Sequence, residues 1–133
     1  VSIASPKGYM PDPAVVEEAR TIALKSGSQI VVTPKIEEAA EGADYLYTDV
    51  WTSMGQEKEM LKRKKAFAKY KVTMNLMKKC CPQAKVMHCL PAHRGEEVDA
   101  DVLESPCSII FDEAENRLHT QKGIMCALMG KKR

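Results

Sequence analysis

The chain has 133 residues, 44% of them hydrophobic and 29% charged, the make-up of one ordinary globular domain and too short for two complete cores. Twenty Lys plus Arg against eighteen Asp plus Glu leave a formal charge of +2, too little to attract nucleic acid on electrostatic grounds. The longest strongly apolar runs, residues 29–33 and 108–111, fall far short of the roughly 20 residues that a membrane span needs.

The opening Val1-Ser2-Ile3-Ala4 reads as a strand already under way, which predicts that the sequence is part of something longer. Asp12 and Pro13 then sit as N-cap and first helical residue, Val15, Val16, Ala19, Ile22 and Ala23 recur at helical spacing, and Gly27 is a natural stop. Ile30-Val31-Val32 predicts a buried strand, Thr33-Pro34 starts a short helix ending near Gly42, and Tyr45-Leu46-Tyr47 predicts another strand. Helices are expected over residues 56–70 and 73–80, then a strand over 85–90, a helical turn near 99–104, a strand over 108–111 and a last helix over 115–129. Short, nonalternating strands separated by helices predict an α/β fold: a Rossmann-like parallel sheet with helices on both faces in three layers, as a single incomplete domain.

In such sheets ligands sit beyond the carboxyl ends of the strands. Three segments placed there are chemically unusual: Asp49-Val50-Trp51-Thr52-Ser53-Met54-Gly55, His88-Cys89-Leu90-Pro91-Ala92-His93-Arg94 and Asp112-Glu113-Ala114-Glu115-Asn116-Arg117. A parallel topology brings their acids, thiol, imidazoles and guanidinium groups to one rim. No Gly-x-Gly-x-x-Gly, phosphate loop of the Walker kind or Gly-x-Ser-x-Gly elbow occurs, so no cofactor is expected. No metal is expected either: Cys80 and Cys81 are adjacent, Cys89, Cys107 and Cys126 stand alone, and no Cys-x-x-Cys pair occurs. Five cysteines cannot all pair within the chain, which favours a reducing, cytoplasmic setting.

The wording of these segments is more specific than their chemistry. His88-Cys89-Leu90-Pro91, preceded by Asp49-Val50-Trp51-Thr52-Ser53-Met54-Gly55 and followed by Glu115-Asn116-Arg117, closely resembles the aspartate/ornithine carbamoyltransferase family, its ornithine branch in particular. The resemblance runs in order from Pro6-Lys7-Gly8-Tyr9 to the last helix. It implies a two-domain transferase that moves the carbamoyl group of carbamoyl phosphate to the side-chain amine of L-ornithine, giving L-citrulline and phosphate in arginine biosynthesis or the urea cycle. Residues 1–133 resemble most of the C-terminal, ornithine-binding domain, and the family assembles as a homotrimer, largely through its first domain.

The same resemblance assigns Asp49 to the ornithine amine as proton acceptor and places Ser53 and Met54 on the loop that closes over that substrate, with Gly55 as hinge. Cys89 falls beside the reacting amine, Cys89 and Leu90 face the carbamoyl end, and Arg117 binds carbamoyl phosphate. The chemistry agrees: an amine with a pKa near 10 must lose a proton before attacking, and an arginine grips the oxygens on which negative charge grows. The family's Ser-x-Arg-Thr phosphate segment and the first strand of the second domain with its Gly-rich turn are absent, so the N-terminal domain is missing and the chain alone is expected to be inactive.

Each residue also has a plainer reading. Asp49 caps a turn, Cys89 is a small core residue, Arg117 pairs with Glu113 or Asp112, and Lys62-Arg63-Lys64-Lys65 is a solvated helix face. His88 is expected in the packing and His93 in solvent. Two other functions compete with the ornithine reading. A putrescine carbamoyltransferase shares His-Cys-Leu-Pro but lacks the Ser-Met-Gly loop, and a noncatalytic α/β module would bind a small anion or a protein partner.

Overall fold

The computed structural model describes residues 1–52, 55 and 57–130. β1 (Ser2–Ala4) leads into α1 (Pro13–Ser26), β2 (Val31–Thr33), α2 (Ile36–Ala40) and β3 (Tyr45–Thr48). A 3-10 turn at Glu57–Glu59 opens α3 (Met60–Phe67), and α4 (Met74–Met77), β4 (Lys85–His88), α5 (Ala100–Leu103) and α6 (Ile110–Met129) follow. The chain is α/β, as the alternation of elements predicts.

Local chemistry sets the boundaries. Asp12 Oδ1 accepts the Ala14 N–H at 2.7 Å and Pro13 starts α1, while Gly27 ends it at φ +70, a conformation glycine adopts without a Cβ clash. The Thr33 hydroxyl accepts the Lys35 N–H, and α2 begins two residues later than Thr33-Pro34 suggests, with Lys35 as its N-cap. Thr73 caps α4 through the Leu76 N–H at 3.1 Å.

Both strand pairings are parallel, β1 with β2 and β3 with β4. The described strands do not join into one sheet: they form two separate pairs, and β1 and β3 line a common groove of about 890 Å³. The expected strand over 108–111 is also corrected. Only Ser108 bridges to Val86, with the Val86 N–H donating to the Cys107 carbonyl at 2.8 Å and the Ile109 N–H to the Val86 carbonyl at 3.0 Å. The Glu113 N–H then bonds the Ile109 carbonyl, so Ile110 and Phe111 already belong to α6. A four-residue apolar run has no period that separates a strand from a helix start, and Asp112 and Glu113 in the first turn favour the helix.

The core gathers on one face of the β3–β4 pair, where Val86 packs with Ala40, Leu76, Met77, Val98, Val102 and Ile110. The opposite face carries Tyr45 and Tyr47, both exposed, so β3 does alternate between covered and open sides. α6 packs against β4, yet Leu118, Ile124, Met125 and Leu128 stay exposed along it. Among the described residues, no helix is long and apolar enough to cross a membrane.

Val86 is fully buried, so Val86→Ala is expected to lower the free energy of unfolding by about 2 kcal/mol in urea titration. Leu24→Ala, at an exposed position on α1, is expected to change it by less than about 0.5 kcal/mol. Equal effects would place the core elsewhere.

Candidate functional site

Register builds the site. Thr48 and His88 are partners at the carboxyl ends of β3 and β4, so the residues that follow them, Asp49 and Cys89, leave the strands side by side. The Cys89 thiol donates to Asp49 Oδ1 at 3.1 Å, and the same oxygen accepts the Val50 N–H at 2.7 Å. From α6, two turns in, Arg117 Nη1 donates to the Cys89 carbonyl at 3.0 Å. Residues 49, 89 and 117 therefore meet at one rim, and Arg117 is tied to the loop after β4 rather than to Asp112 or Glu113.

Leu90 is half-buried against the core. His88 is fully buried and His93 more than half exposed, as the sequence suggests. Ser53 and Met54 lie outside the described residues, and Gly55 takes φ +88, which suits glycine at the turn assigned as a hinge. The loop after β3 is also propped from below. Trp51 stacks on Phe67 with ring centroids 6.1 Å apart, and Phe67 packs edge-on against Tyr9 and Tyr70. The basic run of α3 is only partly a solvated face, because Arg63 lies over the Tyr9 ring and bonds Glu59, and Lys64 pairs with Glu96.

Burial pushes the Cys89 thiol above its ordinary pKa, and the hydrogen bond to Asp49 adds to the rise. A thiol held protonated near neutral pH contacts a substrate but does not attack it. Local desolvation of the hydroxyl and its hydrogen bond to Cys89 lift Tyr47, a residue otherwise exposed, to about 12, so it stays a donor. Tyr47 is a site neighbour that the sequence reading missed, and Glu113 is one that it offered only as an ion-pair partner of Arg117. Tyr47 stands two residues before Asp49 on the same side of the strand, and Glu113 lies one helical turn before Arg117, so both signals were available. Glu113 lines a cavity of about 400 Å³ with Met87, Asn116 and Arg117, and its Oε2 is enclosed without a hydrogen-bond partner among the described residues.

Asp49, His88 and Cys89 place possible metal-ligand atoms within 4.8 Å of one another. The His88 ring is already committed, however: Nδ1 accepts the Leu90 N–H and Nε2 faces Glu97. A metal would have to break the bond that shapes the neighbouring loop.

The family model for the aspartate/ornithine carbamoyltransferase Asp/Orn-binding domain matches residues 1–128. The chain belongs to the aspartate/ornithine carbamoyltransferase family. The chain is 55% identical over 129 residues to an ornithine carbamoyltransferase of Symbiobacterium thermophilum, a match that takes in 97% of the chain and 42% of that relative. Its fold is similar to that of the Pyrococcus furiosus ornithine carbamoyltransferase, with a TM-score of 0.92 and 46% identity over the whole chain and 42% of that structure. A solved N-acetyl-L-ornithine transcarbamylase is also similar, at a TM-score of 0.81 and 32% identity over 96% of the chain and 39% of that structure. The chain thus spans about two-fifths of the length of these relatives.

Because the Asp49 carboxylate favours the neutral thiol, Asp49→Asn is expected to lower the pH midpoint of Cys89 alkylation and to speed the reaction at about pH 8. Rates of iodoacetamide labelling followed by mass spectrometry read this. An unchanged midpoint would mean that the two side chains do not interact.

Proposed function

We propose that the intact protein transfers the carbamoyl group of carbamoyl phosphate to the side-chain amine of L-ornithine, yielding L-citrulline and phosphate. The observation that carries this reading is the joining of Asp49, Cys89 and Arg117 at the carboxyl ends of β3 and β4 by two hydrogen bonds. The Asp49 carboxylate receives the ornithine ammonium and takes its proton, and the freed nitrogen attacks the carbamoyl carbon. The bond from that carbon to the phosphate oxygen breaks, and phosphate leaves with the electron pair and takes the second proton of the attacking nitrogen. Arg117 faces the oxygens on which negative charge grows, and the protonated Cys89 and the Leu90 backbone line the carbamoyl end. By the family resemblance, Ser53 and Met54 contact the amino-acid end. No residue forms a covalent intermediate, so positioning and charge complementarity supply the rate.

Residues 1–133 then form most of the ornithine-binding domain, and a carbamoyl-phosphate domain completes the site. The groove between β1 and β3 supports this division, since a further parallel strand there would pair both open edges and unite the two sheets. The exposed apolar residues of α6 are a natural seat for that other domain, and a homotrimer is the assembly we expect. Five free cysteines fit a reducing, cytoplasmic location.

The test is an assay of the protein expressed from its complete reading frame, with carbamoyl phosphate and L-ornithine, putrescine or N-acetyl-L-ornithine as acceptor. L-ornithine is expected to be preferred, and Arg117→Ala is expected to lower kcat/KM by about 100-fold or more. Preference for another amine would reassign the acceptor, and absence of transfer to all three would overturn the reading.

A further inference from the structure

The loop that presents Cys89 and Leu90 is shaped by a buried pair of side chains, one of which bonds the Leu90 backbone. His88 and Glu97 are 0% and 1% exposed. Burying a carboxylate is unfavourable unless its lone pairs are taken up, and a buried ion pair is a poor way to gain stability. Here they are taken up. Glu97 Oε1 accepts the His93 N–H at 2.5 Å and lies 3.2 Å from His88 Nε2, and Oε2 lies 3.7 Å from His93 Nδ1. The Glu97 backbone is anchored as well, its carbonyl accepting the Val72 N–H at 2.9 Å.

On the other side of the imidazole, Nδ1 accepts the Leu90 N–H at 2.9 Å. A ring that accepts at Nδ1 carries its hydrogen at Nε2, where Glu97 waits to receive it. The bond to Leu90 is unusual in what it holds. Leu90 has φ +57, and it is the one non-glycine residue with positive φ among the described residues. Side chains rarely adopt this left-handed region, and they persist there only when the surroundings fix them. The turn at Leu90 follows directly on Cys89, whose thiol meets Asp49 and whose carbonyl meets Arg117.

We propose that Glu97 is a positioning residue: its buried carboxylate holds His88 as the Nε2–H tautomer, and that ring locks Leu90 in the left-handed turn that aims Cys89 at Asp49 and Arg117. Glu97 acts through His88 and contacts no substrate. A carboxylate is suited to this task because one oxygen can receive both the His88 N–H and the His93 N–H, which ties the two ends of the 88–93 turn to a single atom. The proposal deepens the carbamoyl-transfer reading only in saying how Cys89 is placed. Its test reads no turnover, so either can fail while the other stands.

Imidazole 15N spectra of the protein are expected to show His88 as the Nε2–H tautomer, with the Leu90 and His93 amides exchanging at least about tenfold more slowly than in an unstructured peptide. The Nδ1–H tautomer, or unprotected amides, would overturn the proposal. In Glu97→Ala the alkylation rate of Cys89 is expected to rise about fivefold or more, while that of Cys126, exposed on α6, stays constant. Glu97→Gln, which keeps an acceptor oxygen, is expected to stay within about twofold of the parent. If Glu97→Ala does not fold, Glu97→Asp replaces it: the carboxylate, one methylene short, is expected to loosen Leu90 and speed Cys89 labelling without loss of the fold. Unchanged Cys89 labelling in a folded Ala or Asp variant contradicts the role assigned to Glu97.

Discussion

Cys89 is gripped at both ends, its thiol on Asp49 and its carbonyl under Arg117, and each grip comes from a different element of the chain. That double attachment is what turns three loops into one rim. It depends on register: because β3 and β4 pair in parallel with Thr48 opposite His88, the residues after the two strands emerge together. A shift of one residue would send Asp49 or Cys89 to the other face of the sheet and separate the pair. The bridge from Val86 to Ser108 then sets where α6 begins, and with it the turn of helix on which Arg117 stands.

The two sides of this framework are unequal. Below the rim, Val86, Val98, Val102 and Ile110 make a dry core, and the Trp51–Phe67 stack fixes the start of the loop that follows Asp49. Above and beside it, Tyr45, Tyr47 and the apolar residues of α6 are open, and β1 and β3 leave a groove between them. This unevenness is in keeping with the proposal that a further domain supplies the other walls of the site. The match to about two-fifths of each similar protein points the same way.

Much of this was legible in the residues. Asp12-Pro13 and Gly27 bracket α1 by capping chemistry alone, and the three segments that carry the site were found because α/β sheets place ligands beyond strand ends. What was not legible depends on contacts distant in sequence. The Arg63–Tyr9 and Lys64–Glu96 contacts turn part of a basic run inward, and nothing local announces either one. Glu97 looks like half of an ordinary acidic doublet until the fold buries it beside His88. The strand expected over 108–111 shrank to one bridge because an apolar run that short carries no period. The single sheet became two pairs because no described strand fills the groove between the open edges of β1 and β3.

The raised pKa of Cys89 decides between two kinds of chemistry at the rim. A thiolate nucleophile would need the opposite shift, so a neutral thiol beside an acid and a guanidinium suits the proposed role of positioning reactants. The most direct measurement is a crystal structure of the intact protein with a bisubstrate analogue that joins the carbamoyl phosphate and ornithine halves. The account predicts the analogue's carbonyl oxygen within hydrogen-bond reach of Arg117 and its ornithine nitrogen beside Asp49 and Cys89. An analogue seated away from these three residues would contradict it.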